Sequence, residues 1–401
     1  MAVTRRRRQQ ALRRSRLPLV LAGVGGLAAG SARAQSSLEF RYLLYQESNN
    51  RTEVSNPWIF LNHDFGQKGG QLSLLLGYDT ISGASPTGAY PTTDTTTSAS
   101  GSHTSSSFPM AEYHDTRKSV TASYGRKFGA NLPSVDLSYS KENDYTARGA
   151  GLSDAWTMAK GRGTLHAGIA FSRDIVTPVT TRVDHPKSSD SYALGWSWIL
   201  GERDLFDVSA SLARLSGYLD DPYKVVPVGS PTTTVPEHRP DARSRYAAIF
   251  KYGHFFVDAN GALKVSYRYY WDDWAIGAHT VELLYDQRFG SRWTVSPLVR
   301  LYTQSHASFF GYEFAVAQTY MSADYRLSAF DSVLGGLTIA YAIRPNLVLS
   351  VGATYQSQHG RDRITPLSAV PPSDDGGGGP GTASAADMNV TTGTIGLTWR
   401  Y

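Results

Sequence analysis

The chain has 401 residues, 39 basic and 34 acidic, a net charge of +5, 41% apolar residues and no cysteine. Without cysteine there is no disulfide framework, thiolate nucleophile, Cys-ligated zinc or c-type haem attachment, and the apolar content excludes a disordered chain. Twenty-four tyrosines and 38 glycines against 5 methionines favour strands and turns over a helical core.

Residues 1–34 read as a secretory signal peptide. Arg5 to Arg8, Arg13, Arg14 and Arg16 form a cationic start, and Leu17 to Gly30 an apolar stretch. Ala32 and Ala34 form an A-x-A cleavage site. The stretch is too short for a spanning helix, which needs about 20 residues. Gly23 to Ala28 fits G-x-G-x-x-A, but it lies in the removed segment and in no βαβ unit. Removing the eight arginines of residues 1–34 leaves 31 basic against 34 acidic residues, a net charge of −3. That withdraws the support the positive charge gave to a nucleic-acid partner.

The rest alternates apolar and polar residues, the period of a strand with two different faces. In chain order the pattern marks Leu38–Leu44, Leu72–Tyr78, Val120–Tyr124, Val135–Tyr139, Leu165–Phe171, Tyr192–Leu200 and Phe206–Leu212. It continues at Tyr246–Phe256, Leu263–Trp271, Val281–Phe289, Trp293–Leu301, Val333–Ile343, Leu347–Tyr355 and Ile395–Tyr401. Short turns at Gly66, Gly129, Lys160, Gly201, Asp258, Gly290 and Arg344 alternate strictly with longer polar loops, notably 84–115, 176–188, 221–241, 304–330 and 361–387. Tyr320–Ser328 is assigned to an outer loop. Seven short turns and eight outer connections predict an all-β, transmembrane, antiparallel up-and-down barrel of about 16 strands, 14 to 18 being compatible with the pattern. Ile395, Leu397, Trp399 and Tyr401 share one face of the last strand, the form of a C-terminal insertion signal. The expected location is the outer membrane, and the expected partners are its bilayer and its assembly machinery.

Little of this resembles a catalyst. There is no G-x-S-x-G and no H-E-x-x-H, and Ser138-Tyr139-Ser140-Lys141 matches S-x-x-K along a strand where a helix start is required. His103 and His114 share one loop and read as solvated; Asp374 to Gly379 is a loop tip without calcium-ligand spacing. No metal, cofactor or enzymatic activity is expected. The polar face of three consecutive strands carries Lys264, Arg268, Glu282, Asp286, Arg288 and Arg300. Such a lumen charge wall is either a selectivity wall or a set of compensating pairs, and both readings stay open.

Leu44-Tyr45-Gln46-Glu47, Tyr78 to Pro86, Asp115-Thr116-Arg117 and Ala323-Asp324-Tyr325-Arg326-Leu327 together resemble an outer-membrane family known by the domain-of-unknown-function number 3570. Asp79-x-x-Ser82-Gly83-Ala84-Ser85-Pro86 is the most specific of these stretches. The resemblance covers essentially the whole mature chain and implies a link to envelope redox metabolism, with flavinylated or thioredoxin-like partners. It brings no catalytic residue. Three functions follow as expectations: a porin-like conduit for small solutes, a docking barrel for a redox complex, and a barrel that binds ligands through its outer loops.

Overall fold

In the computed structural model the described residues are 36–66, 69–98, 101–368 and 382–401. The expected signal peptide with Ala32 and Ala34, and the tip Asp374 to Gly379, lie outside them. Sixteen antiparallel strands close into one barrel. They are β1 Ser37–Glu47, β2 Glu53–Asp64, β3 Gln71–Pro86, β4 Met110–Gly125, β5 Ser134–Lys141, β6 Tyr145–Met158, β7 Gly163–Val176 and β8 His185–Ile199. Then come β9 Asp204–Gly217, β10 Ala242–Phe256, β11 Gly261–Asp272, β12 Gly277–Phe289, β13 Trp293–Gln304, β14 Phe330–Arg344, β15 Leu347–Gly360 and β16 Met388–Arg400. Each strand pairs with its neighbours in sequence, and β16 closes on β1 through Leu397 opposite Phe40 and Trp399 opposite Leu38.

Period two decides which side chains face outward from the barrel. Leu194, Trp196, Phe250, Leu283, Val299, Leu301, Val333 and Trp399 are all exposed on the outer face, as a barrel requires when its apolar band meets hydrocarbon. The last-strand residues Ile395, Leu397 and Trp399 belong to that face, and Tyr401 follows them at its edge. The residues between them face the bore.

The connections depart from strict short–long alternation. At one end the seven connections are short, as the sequence predicts, except that 126–133 spans eight residues and is as long as 177–184 at the other end. At the other end the connections 48–52, 142–144 and 273–276 are also short. The long loops begin where strand pairing stops, so the first is 87–109 in place of 84–115, and the next three are 177–184, 218–241 and 305–329. The piece Tyr320–Ser328 is loop, as expected, and contains only a 3-10 turn at Tyr325–Leu327.

The dry apolar packing is in these loops. Trp274, Ile276, Ala307, Phe309 and Leu327 form one cluster; Tyr312, Tyr325, Ala385 and Ala386 another; Val226, Met321 and Ala323 a third. Every one of these residues lies in an outer connection. A barrel of this size leaves an aqueous lumen, so its apolar burial moves to the mouth.

Candidate functional site

The six wall residues share the bore face of β11, β12 and β13. Glu282 lies opposite Arg300 and accepts its Nε at 2.7 Å. Lys264 donates to Asp286 at 2.7 Å, and Ser296 donates to the same carboxylate at 2.6 Å. Arg268 stacks over Tyr270 at 5.4 Å, and neither it nor Arg288 makes an ion pair among the described residues. Two of the wall's bases are therefore compensated by two of its acids. The pairs are wet: the Lys264 side chain is 58% exposed, so each is worth at most about 1 kcal/mol.

A second charged region is larger and dry. The loop 218–241 leaves β9, crosses the mouth, and docks on β3, which lies six places round the sixteen-strand barrel. There the Val225 amide donates to Thr87 O at 2.9 Å. Lys224, 2% exposed, donates to Ser85 Oγ at 2.8 Å and to the Pro86 carbonyl. The loop's Val225–Val228 and Ser230–Pro236 pair as a hairpin. That hairpin joins loop 305–329 through Phe314 to Pro227 O at 2.9 Å and Met321 to His238 O at 2.8 Å.

The loop contact is built around Asp324, 1% exposed. It caps the 3-10 turn by accepting the Arg326 amide and accepts Arg239 Nη2 at 2.8 Å. Arg326 reaches back to Asp221 at 2.6 Å. Glu237 accepts the Asp221 amide at 2.7 Å, Ser322 Oγ at 2.5 Å and Arg239 at 2.6 Å. From the opposite rim Arg51 donates to Ala385 O at 2.7 Å and lies over the Tyr325 ring at 5.5 Å. The outer loops thus form a cap tied to the rim at several points.

Burial and charge pull these groups in opposite directions. Burial alone would raise Asp324, but the charges of Arg326, Lys224 and Arg239 outweigh it and hold its carboxyl below the ordinary carboxylate range. Glu237 goes the other way, to about 7, because burial, with Asp324 and Asp221 beside it, outweighs Arg239 and the Ser322 hydroxyl. Burial lowers the Lys224 ammonium.

All four sequence stretches that carried the family resemblance meet at this mouth. Tyr45 donates to Glu47 Oε1 at 2.8 Å, and Tyr113, two residues before Asp115, donates to Thr52 Oγ1 at 2.6 Å. Arg117 is paired with the buried Asp79. Gly83 has φ +119°, and a Cβ there would sit 2.0 Å from Arg51 O, so this position admits the short β1–β2 connection only as glycine. Ser85 and Pro86 receive Lys224. The most specific stretch is the far-side dock of the cap.

Sequence reasoning missed Arg51, Asp221, Lys224, Glu237 and Arg239. One signal for them was present. Val225-Val226-Pro227-Val228, flanked by charges inside a supposedly solvated loop, is apolar run enough to need a dry partner.

A profile of the family described as "Protein of unknown function (DUF3570)" matches residues 22–191 and 180–368. No curated protein matches the chain. Among solved structures, it is similar to a bacterial polysaccharide outer membrane secretin, with 8% identity, 92% of this chain and 98% of that one covered, and a TM-score of 0.49. It is similar to the siderophore receptor PirA from Pseudomonas aeruginosa, with 10% identity, 90% and 61% covered, and a TM-score of 0.45. For an anion-selective porin from Comamonas acidovorans the values are 10%, 92% and 99%, and 0.38. The barrel assignment rests on the strand order and not on these likenesses.

Proposed function

The chain belongs to the DUF3570 family of unknown function, and on that premise we propose that it is an outer-membrane channel, a conduit for small solutes narrowed at its outer mouth by its own loops. The observation that carries this reading is the contrast between the two faces of one closed sheet. The outer face is an apolar band, and the bore face carries Lys264, Asp286, Glu282, Arg300 and their serine and threonine neighbours. A lumen of sixteen strands with that lining holds water and passes polar solutes.

The exposed apolar edge of β16, Ile395, Leu397 and Trp399 with Tyr401, supports recognition by the outer-membrane assembly machinery, and the signal-like N-terminus supports export. The proposed role is transport without catalysis.

Planar-bilayer recording of the refolded mature barrel tests it. The wild-type chain should give small unitary currents. A variant with residues 220–239 replaced by two glycines should give currents several-fold larger. If neither conducts while both remain heat-modifiable, closed barrels, the channel reading fails.

A further inference from the structure

The outward face of the barrel carries charge in one place, at the long-loop end of β4 to β9. Each of β4, β5, β6, β7 and β9 places one cation there, two residues or about 7 Å beyond an apolar residue of the same parity. Lys118 stands beyond Val120, Lys141 beyond Tyr139, Arg148 beyond Ala150, Arg173 beyond Phe171 and Arg214 beyond Leu212, and all five cations are exposed. Cross-strand register brings them together. Lys118 lies directly opposite Lys141, and Arg148 directly opposite Arg173. Like charges so placed destabilise a sheet, and here two such pairs fall within four consecutive strands. Asp190 on β8 accepts Arg173 at 2.7 Å. The other four cations make no ion pair among the described residues. The face is short of anions.

The surface beside the second pair is hollow. A recess of about 480 Å³ includes Arg148, Arg173, Ile175, Pro186, Ser188 and Ser216 in its lining, all of outward parity, with the two serine hydroxyls 2.7 Å apart. Two guanidinium groups and two hydroxyls in one recess make a donor set suited to phosphate oxygens. Farther into the apolar band on the same face, Leu137, Leu152 and Leu194 are each more than half exposed. The far side of the barrel has no counterpart. Among the described residues of β11 to β16 the equivalent outward positions hold Tyr269, His279, Thr303, Asp331, Ser357 and Asn389, with no lysine or arginine.

We infer that this side of the rim is a lipid site: Lys118, Lys141, Arg148, Arg173 and Arg214 hold the phosphates of an anionic lipid of the outer leaflet, whose acyl chains lie on the apolar band beneath. A soluble anion would use the cations alone. A phosphorylated lipid uses the cations and the exposed leucines, and both lie on one face at headgroup and hydrocarbon depth. The bound phosphates also screen the two opposed like-charge pairs, which gives those pairs a reason to be tolerated. Each cation near an anionic headgroup contributes roughly fivefold to binding. The inference goes beyond transport and holds for a silent barrel as well as for a conducting one.

Native mass spectrometry of the refolded mature barrel, titrated in phosphatidylcholine micelles with lipid A bearing two phosphates, tests it. The wild-type chain should retain lipid A, and an analogue without phosphates should bind at least about tenfold more weakly. Lys141→Gln combined with Arg148→Gln should weaken lipid A binding roughly 25-fold. Arg203→Gln combined with Arg292→Gln, in short turns at the other end, removes the same charge and should leave binding unchanged. Without lipid A the Lys141→Gln, Arg148→Gln barrel should melt no lower than wild type, because opposed like charges have been relieved. A lower melting point would show that these cations already have partners in the protein and would overturn the inference. So would equal binding of the phosphate-free analogue, an equal loss in the turn variant, or displacement of lipid A by millimolar inorganic phosphate.

Discussion

The bore wall and the outer cap use the same charged side chains in opposite ways. Lys264–Asp286 and Arg300–Glu282 sit in water on a rigid ladder, each base beside a ready acid. Asp324, Glu237 and Lys224 are buried, with Arg239 and Arg326 mostly covered beside them, among loops whose own ladder is the short hairpin of 225–236. Solvated pairs contribute little and cost little to lose. Desolvated ones contribute modestly to stability but are costly to break, because a lone charge is left behind. The wall can tolerate substitution, whereas the cap holds or opens as a unit.

Breaking the centre of the cap should produce the largest effect. Asp324→Ala takes from Arg239 and Arg326 the carboxylate they share, leaving them Glu237 and Asp221, and should destabilise the packed loops by about 3 kcal/mol. Limited proteolysis from outside should then cut within 218–241 and 305–329 while the barrel band on unheated gels is unchanged. If the loops stay as resistant as wild type, the network is decoration.

A smaller effect is expected at the dock. Gly83→Ala places a methyl against Arg51 O at a backbone angle that side chains rarely adopt, which should cost on the order of 1–3 kcal/mol. The loss should appear as faster proteolysis at 48–52 and weaker protection of 218–241. An unaffected second loop would mean that the β1–β2 connection and the cap are independent.

The smallest belongs to the wall. Lys264→Ala removes an exposed partner of Asp286 and should change barrel stability by less than about 1 kcal/mol, with no change in loop protection. A larger loss in thermal melting would show that the wall is structural and would erase the contrast with the cap.

The barrel was legible in the sequence because lipid on one side and water on the other write period two directly into it. Leu263–Trp271 and Trp293–Leu301 needed only that rule. The seven turns fixed the strand number, although β2 and β6 showed no clear apolar alternation of their own: Pro57 interrupts the first, and Gly149 and Gly151 dilute the second. The wall residues could be placed on one face by parity, and cross-strand register then joined Glu282 to Arg300. The cap was not legible, for a different reason. Lys224 and Ser85, and Arg51 and Ala385, are joined by loop paths across the mouth that no local period encodes. The family-like stretches pointed toward that region, but Tyr78–Pro86 and Ala323–Leu327 carried no hint that Lys224 stands between them, bonded to Ser85 and Pro86 and over the Tyr325 ring.

Amide hydrogen exchange of the full barrel in lipid nanodiscs tests the cap most directly. Its loops are joined by backbone bonds from Val225 to Thr87, Phe314 to Pro227 and Met321 to His238. Those three amides should be protected as strongly as amides near the outer strand ends, and Asp324→Ala should release all three together while the strands stay protected. Exchange at the rate of free loops in the wild-type chain would contradict a packed cap across the bore.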